Sequence, residues 1–200
     1  MRTAGLPIDG FCAELEAPIP SPAGGSAAAA VAAIAASLVV MIGRGSPRWG
    51  EGAAAAAAAA AVRDRLLGLG ADDVEAVATM LAASRAHAST VTEAGSGLEA
   101  ARLQAARVPL AIAEHAAEVA HLAREATRHG SRVMQADAAA AAALAATAAR
   151  VAAGIADLNL SAFAAGEEPP QVAGLRRASA AVSDRLAAGP GTPGPGGAAA

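Results

Sequence analysis

Pro18-Ile19-Pro20-Ser21-Pro22-Ala23-Gly24-Gly25-Ser26, leading into the apolar run Ala27–Ile42, is the stretch on which the fold turns. Three prolines at alternate positions hold the backbone extended, because each fixes its own φ and biases the residue before it away from helix. Gly24 and Gly25 permit a sharp turn, and Ser26 is a good N-cap, so a helix is expected over Ser26–Ile42. Such a helix N-terminus offers unpaired N–H groups to an anion or a carbonyl oxygen. The apolar run is sixteen residues long, short of the ~20 that a membrane-spanning helix needs, and most of it is alanine. It reads as a buried helix. Ala27, Val31, Ile34, Leu38 and Met41 form its apolar stripe, expected to face the core. Ser26, Ala30, Ala33 and Ser37 form a small-residue face that another helix could approach closely.

Working outward, two hundred residues suit one domain with a proper core. Aromatics are 2% and tyrosine is absent, so the β-formers that a sheet needs are scarce. All fifteen basic residues are arginine, and the net charge of −3 carries no footprint for nucleic acid. Cys12 stands alone, so the chain contains no disulfide framework and no CxxC metal site, which fits a reducing cytoplasm. Met1–Asp9 has no apolar core of the kind a signal peptide requires.

The rest reads as helices too. A short one is expected over residues 9–17, capped by Asp9 and ended by Pro18. Gly43–Gly50 is a loop. A helix over Ala53–Leu67 should be stopped by Gly68 and Gly70, and Asp72 with Glu75 resembles a capping box opening another that runs to Arg85. Residues 86–97 read as a loop. Ser96 with Glu99 opens a long helix to His129, which Pro109 should kink or split. Val108, Ala111, Ile112, His115, Val119 and Leu122 are its expected buried stripe, and Gly130 ends it. A helix over Val133–Leu158 and a weaker one over Val172–Leu186 follow. Residues 189–200 are Pro/Gly-rich and expected to be a disordered tail on a domain spanning 1–188. The expected fold is an all-α single-domain bundle of five to seven helices with alanine-rich packing.

Asp137 is the most informative single residue. It shares a heptad face with Leu144, Val151 and Leu158, apart from Thr147, Arg150 and Asp157, so it is expected to point to the apolar side. A buried carboxylate has its pKa raised by desolvation, which suits a proton shuttle; an Asp answering the helix dipole in the first turn is the equal alternative. His115 reads as a core histidine, and His87 lies in a loop. Arg44 and Arg48 flank a glycine-bearing loop, where they could bind a carboxylate or simply be solvated. Trp49 beside them could cover a flat ring or close the core. No HExxH, GxxxxGK[ST] or GxSxG pattern occurs and no GxGxxG follows a strand, so no metal, nucleotide or serine-hydrolase chemistry is expected.

The segment Phe11–Ile42 resembles the N-terminal signature of the cyclodeaminase/cyclohydrolase family, F-x-x-x-L-x-x-P-x-P-x-P-G-G-G-S and a small-residue helix. Arg107-Val-Pro-Leu110 is similar to that family's V-P-L, Ala136-Asp137 to its S-D, and Leu158-Asn159-Leu160 to its I-N-L. The resemblance implies an all-α homodimer acting on a tetrahydrofolate one-carbon adduct, with tetrahydrofolate as substrate carrier, no metal, and no nucleic-acid or membrane partner. The types it implies are methenyltetrahydrofolate cyclohydrolase and formimidoyltetrahydrofolate cyclodeaminase. With no formiminotransferase segment in the sequence, the first is expected. It implies Asp137 as general acid/base and Gly24, Gly25, Ser26, Arg44, Arg48 and Asn159 as substrate-binding. Ala23, Ala136, Ile155, Ser46-Pro-Arg-Trp49 and Arg85-Ala-His-Ala88 depart from its usual pattern. The alternative is therefore a catalytically silent homologue that keeps the scaffold as a binding or structural module.

Overall fold

The computed structural model describes residues 7–18, 22–89, 95–163 and 169–188. Six α-helices occur among them: α1 (Ile8–Leu15), α2 (Gly24–Arg44), α3 (Gly52–Ser89), α4 (Gly95–His129), α5 (Gln135–Ser161) and α6 (Pro170–Ala187), with a 3-10 turn at Arg132–Met134. No strand occurs among the described residues. The all-α expectation holds. Part of the proline arm and the whole tail from residue 189 lie outside the described residues.

Helices α2, α3, α4 and α5 close a four-membered ring in which each packs on two neighbours, and α6 lies across α4 and α5. Neighbours in the ring run antiparallel. Gly24 meets Ile155 and Gly45 meets Met134, which sets α2 against α5, while Gly43 meets Gly52 and Ser26 meets Gly70, which sets α2 against α3. The core is mainly alanine, with Val39, Leu66, Ile112 and Val119 as its bulkier members. Alanine favours helix and lets axes come close, so a large number of small contacts, each buried methyl contributing about 0.8 kcal/mol, replaces a few large ones. The approach is tightest where α2 ends and α3 begins: a Cβ on Gly43 would lie 2.4 Å from the Gly52 carbonyl oxygen.

Several elements differ from the sequence reading. Helix α2 starts two residues early, at Gly24, with extended Ala23 as its N-cap. Ser26 is in the first turn, because its hydroxyl is engaged by α3 instead of its own helix. Gly68 and Gly70 do not stop α3, which is one helix of 38 residues. A helical glycine costs about 1 kcal/mol against alanine, and at Gly70 the docking of Ser26 onto its carbonyl offsets that cost. His87 therefore lies in the last turn of α3, not in a loop. Pro109 does not split α4. Pro7, not Asp9, precedes α1 as its N-cap.

The faces of α2 and α5 are the largest correction. On α2 the small residues Ala28, Ala29, Ala32, Ala33, Ala35 and Ala36 are buried, while Ile34 is 49% exposed and Met41 also faces out. On α5 the buried side is Ala138 to Ala156 in helical steps, while Leu144, Val151 and Leu158 point away from the core. The small faces turn inward along most of each helix, joined by Val39, Val40 and Ile42 on α2, and Val31 and Leu38 are partly buried against the core; Ile34, Met41, Leu144, Val151 and Leu158 are left outside. Both helices are long and apolar enough to cross a membrane by length and composition; here their small faces are the bundle's own core.

Candidate functional site at the N-terminus of helix α2

The first turn of α2 is bolted to the middle of α3 through one side chain that the sequence reading missed, Asp73. Its Oδ2 accepts the Ser26 backbone N–H at 3.0 Å and lies 3.1 Å from Ser26 Oγ, and Ser26 Oγ is 2.9 Å from the Gly70 carbonyl oxygen. Asp73 is 4% exposed and Ser26 2%. Ala23, Gly24, Gly25 and Ser26 are the N-cap and first three residues of α2, so Asp73 satisfies a donor that has no partner within the helix. Glycine is required at position 25 for the same reason: a Cβ there would fall 2.3 Å from Asp73 Oδ1. At Gly24 the neighbour is Ile155, with Cδ1 3.1 Å from an added Cβ.

Burial pushes the Asp73 carboxyl above its ordinary range, and the two hydrogen bonds from Ser26 oppose that only in part. The magnitudes agree with the direction. A helix N-terminus favours a nearby carboxylate by about 0.3–2 kcal/mol, whereas removing an ion from water costs several.

On the neighbouring surface, α3 and α4 form an open cleft of about 260 Å³ lined by the exposed Asp72, Glu75, Thr79 and Gln104, with the buried Ala76 at its base. Gln104 precedes Ala105, whose carbonyl accepts the Asn159 side-chain N–H at 2.6 Å. Ala105 is the residue four before Pro109, which has no N–H to give it, so Asn159 supplies the donor that the proline removed. Gly24, Gly25, Ser26, Asp73, Asn159 and the cleft thus share one end of the bundle.

Asp137, Arg44 and Arg48 share the other end, separated from the first group by the length of α2, about 30 Å for its 21 residues. Asp137 is half-buried in the first turn of α5, on the side of the exposed Leu144, Val151 and Leu158, and has no hydrogen-bond partner among the described residues. The expectation that it points into the chain's own core does not hold, because that core is reached by the alanine face. Arg44 and Arg48 are exposed. Trp49 closes the core: it is buried with Ile42, Ala55, Ala126 and Ala138 and stacks on His129, ring centres 6.5 Å apart. His115 is partly buried and lies 3.5 Å from Glu118. Among the described residues no group of three or more His, Cys, Asp or Glu is placed to hold a metal.

Asp73 was legible in principle. Ala59, Val62, Leu66, Gly70, Asp73 and Ala76 are all buried at helical spacing on α3. Ending the helix at Gly68 hid that stripe, and the acid on it.

Comparison with known proteins agrees with this architecture. A solved structure, formiminotetrahydrofolate cyclodeaminase from Thermotoga maritima, superposes with a TM-score of 0.73 over 91% of this chain and 94% of that one, at 19% sequence identity. That likeness is one of fold. No curated protein matches the chain. The family model described as Formiminotransferase-cyclodeaminase matches residues 7–168, from the start of α1 past the end of α5. With the α2 signature, its anchor and the helical ring all inside that span, the chain belongs to the formiminotransferase-cyclodeaminase family.

Proposed function

We propose that the protein is a cytoplasmic enzyme of folate one-carbon metabolism, of the methenyltetrahydrofolate cyclohydrolase or formimidoyltetrahydrofolate cyclodeaminase type. Family membership over residues 7–168 is the observation that carries this reading. In the cyclohydrolase reaction the oxygen of water bonds to the amidinium carbon, the bond from that carbon to N5 breaks, and one proton is released as 10-formyltetrahydrofolate forms. In the cyclodeaminase reaction N10 attacks the formimino carbon and ammonia leaves. Both reactions move protons beside a cationic carbon, work that a carboxylate can do.

Asp137 is the proposed general acid/base. Gly24, Gly25 and Ser26 form the turn against which the adduct lies, and Arg44, Arg48 and Asn159 complete substrate binding. The acidic lining of the adjacent cleft suits a cationic heterocycle. At 260 Å³ it lies below the ~300–1,000 Å³ of sites that enclose a drug-sized ligand, and so takes one ring of the folate.

The two groups of residues lie at opposite ends of one chain. A homodimer related by a two-fold axis perpendicular to α2 would bring Asp137 of one copy toward the α2 N-terminus of the other. The outward stripes on α2 and α5 support such a pairing.

Purified protein should consume 5,10-methenyltetrahydrofolate or 5-formiminotetrahydrofolate above the spontaneous rate. Asp137→Asn should lower turnover by about a hundred- to ten-thousand-fold with the melting curve unchanged. If Asp137 serves only the helix dipole, the same change should leave turnover intact and cost about 1 kcal/mol or less of stability. A wild-type protein inert toward both substrates would favour the silent-homologue reading, to which the family departures at Ala23 and Ala136 point.

A further inference from the structure

The hydroxyl of Ser26 has one proton and two neighbours that would take it. It lies 2.9 Å from the Gly70 carbonyl oxygen and 3.1 Å from Asp73 Oδ2. The carbonyl can only accept. If Asp73 is ionised it also only accepts, and one of the two close oxygen–oxygen contacts has no proton of its own. If Asp73 is the neutral acid, its proton goes to Ser26 Oγ, the Ser26 proton goes to Gly70, and each contact is a hydrogen bond. The same Oδ2 still accepts the Ser26 backbone N–H, at 3.0 Å.

The geometry points to Asp73 as a positioning residue: as a neutral acid at neutral pH it completes an Asp73–Ser26–Gly70 chain that fixes the first turn of α2. This rests, for its effect on substrate, on the folate reading above. Asp73 is buried and is not among the residues that line the cleft, so it acts through Ser26 rather than on the reacting atoms. The direction in which burial moves its carboxyl agrees. Asparagine is a poor replacement here. It can present either a carbonyl oxygen or an amide nitrogen at the Oδ2 position, and so cannot both accept from the Ser26 N–H and donate to the Ser26 hydroxyl.

The first test needs no substrate and no variant. The infrared spectrum of the full chain at neutral pH should contain the C=O stretch of one protonated carboxyl, since exposed acids titrate near pH 4. Raising the pH until that band disappears should lower the protection of the amides of residues 24–28, measured against the intrinsic exchange rate at each pH, in step with it. No protonated band at neutral pH, or exchange that ignores its loss, overturns the proposal. Asp73→Asn should remove the band. The second test uses 5,10-methenyltetrahydrofolate. Asp73→Asn and Ser26→Ala should each raise KM about ten-fold with kcat within about three-fold, and the double variant should be no worse than either. A fall in kcat at unchanged KM would make Asp73 a proton-transfer group and defeat the positioning role. If the wild type turns over no folate, the functional reading fails, while the infrared and exchange results still decide the state and role of Asp73.

Discussion

At the scale of single residues, Asp73 sets a definite pH dependence. Its folded-state pKa is raised by burial, so over a window above about pH 4 the native chain keeps a proton that the unfolded chain has lost. Stability from this group is therefore complete at the acid end and declines as pH rises through the folded value, the reverse of a salt-bridged carboxylate. Urea midpoints measured from about pH 4 upward should fall for the wild type over that window. For Asp73→Asn, which has no proton to lose, that fall should be absent. A wild-type midpoint that rises with pH there, with the rise abolished by the substitution, would reverse the assignment.

At the scale of elements, two motifs far apart in the chain prove to be halves of one device. Pro109 removes a hydrogen bond inside α4, and Asn159, 54 residues from Ala105, restores it from α5. Ala105 is buried, so Asn159→Ala should strand its carbonyl and cost about 1–3 kcal/mol. In a Pro109→Ala background residue 109 again carries an N–H, and the same Asn159→Ala change should cost much less. A double-mutant cycle by chemical denaturation reads the coupling, and additive costs would separate the two residues. Helix α6 closes the same C-terminal end of α5: Arg176 Nη2 donates to the Leu160 carbonyl at 3.0 Å, meeting one of the acceptors that a helix leaves unpaired.

At the scale of the whole molecule, the consequence of an alanine core is that large apolar side chains are left on the outer faces of α2 and α5. Ile34 and Met41 on α2, and Leu144, Val151 and Leu158 on the adjacent α5, face away from the core, Leu158 at 70% exposure. Apolar stripes repeated at heptad spacing suit helix-to-helix association. The proposed homodimer should therefore be stable at micromolar concentration in sedimentation experiments. Val151→Glu, a charge in the middle of the stripe and away from the proposed site residues, should shift it to monomer while leaving helix content unchanged. A wild type that sediments as a monomer would exclude the pairing.

The amino-acid sequence by itself determined the class of fold, the order of most helices and the family. Alanine abundance with almost no aromatic residues permits little besides helices, and the α2 signature and Val-Pro-Leu carried the resemblance to the family whose model matches residues 7–168. Which side of each helix faces inward was decided only by the tertiary structure. Hydrophobic contrast is the usual guide to the buried face, but alanine is too small to win that contest against Ile34 or Leu144, and in this ring clearance outranks bulk. The thin faces go inside because a Cβ or a longer side chain would hold the backbones apart, as at Gly43 and Gly52. The candidate site divides the same way. Gly24, Gly25 and Ser26 were legible as a helix start. Their anchor was not, because Asp73 lies 47 residues away from Ser26 in the chain, and only the packing of α2 on α3 puts a buried acid against a serine with one proton to share.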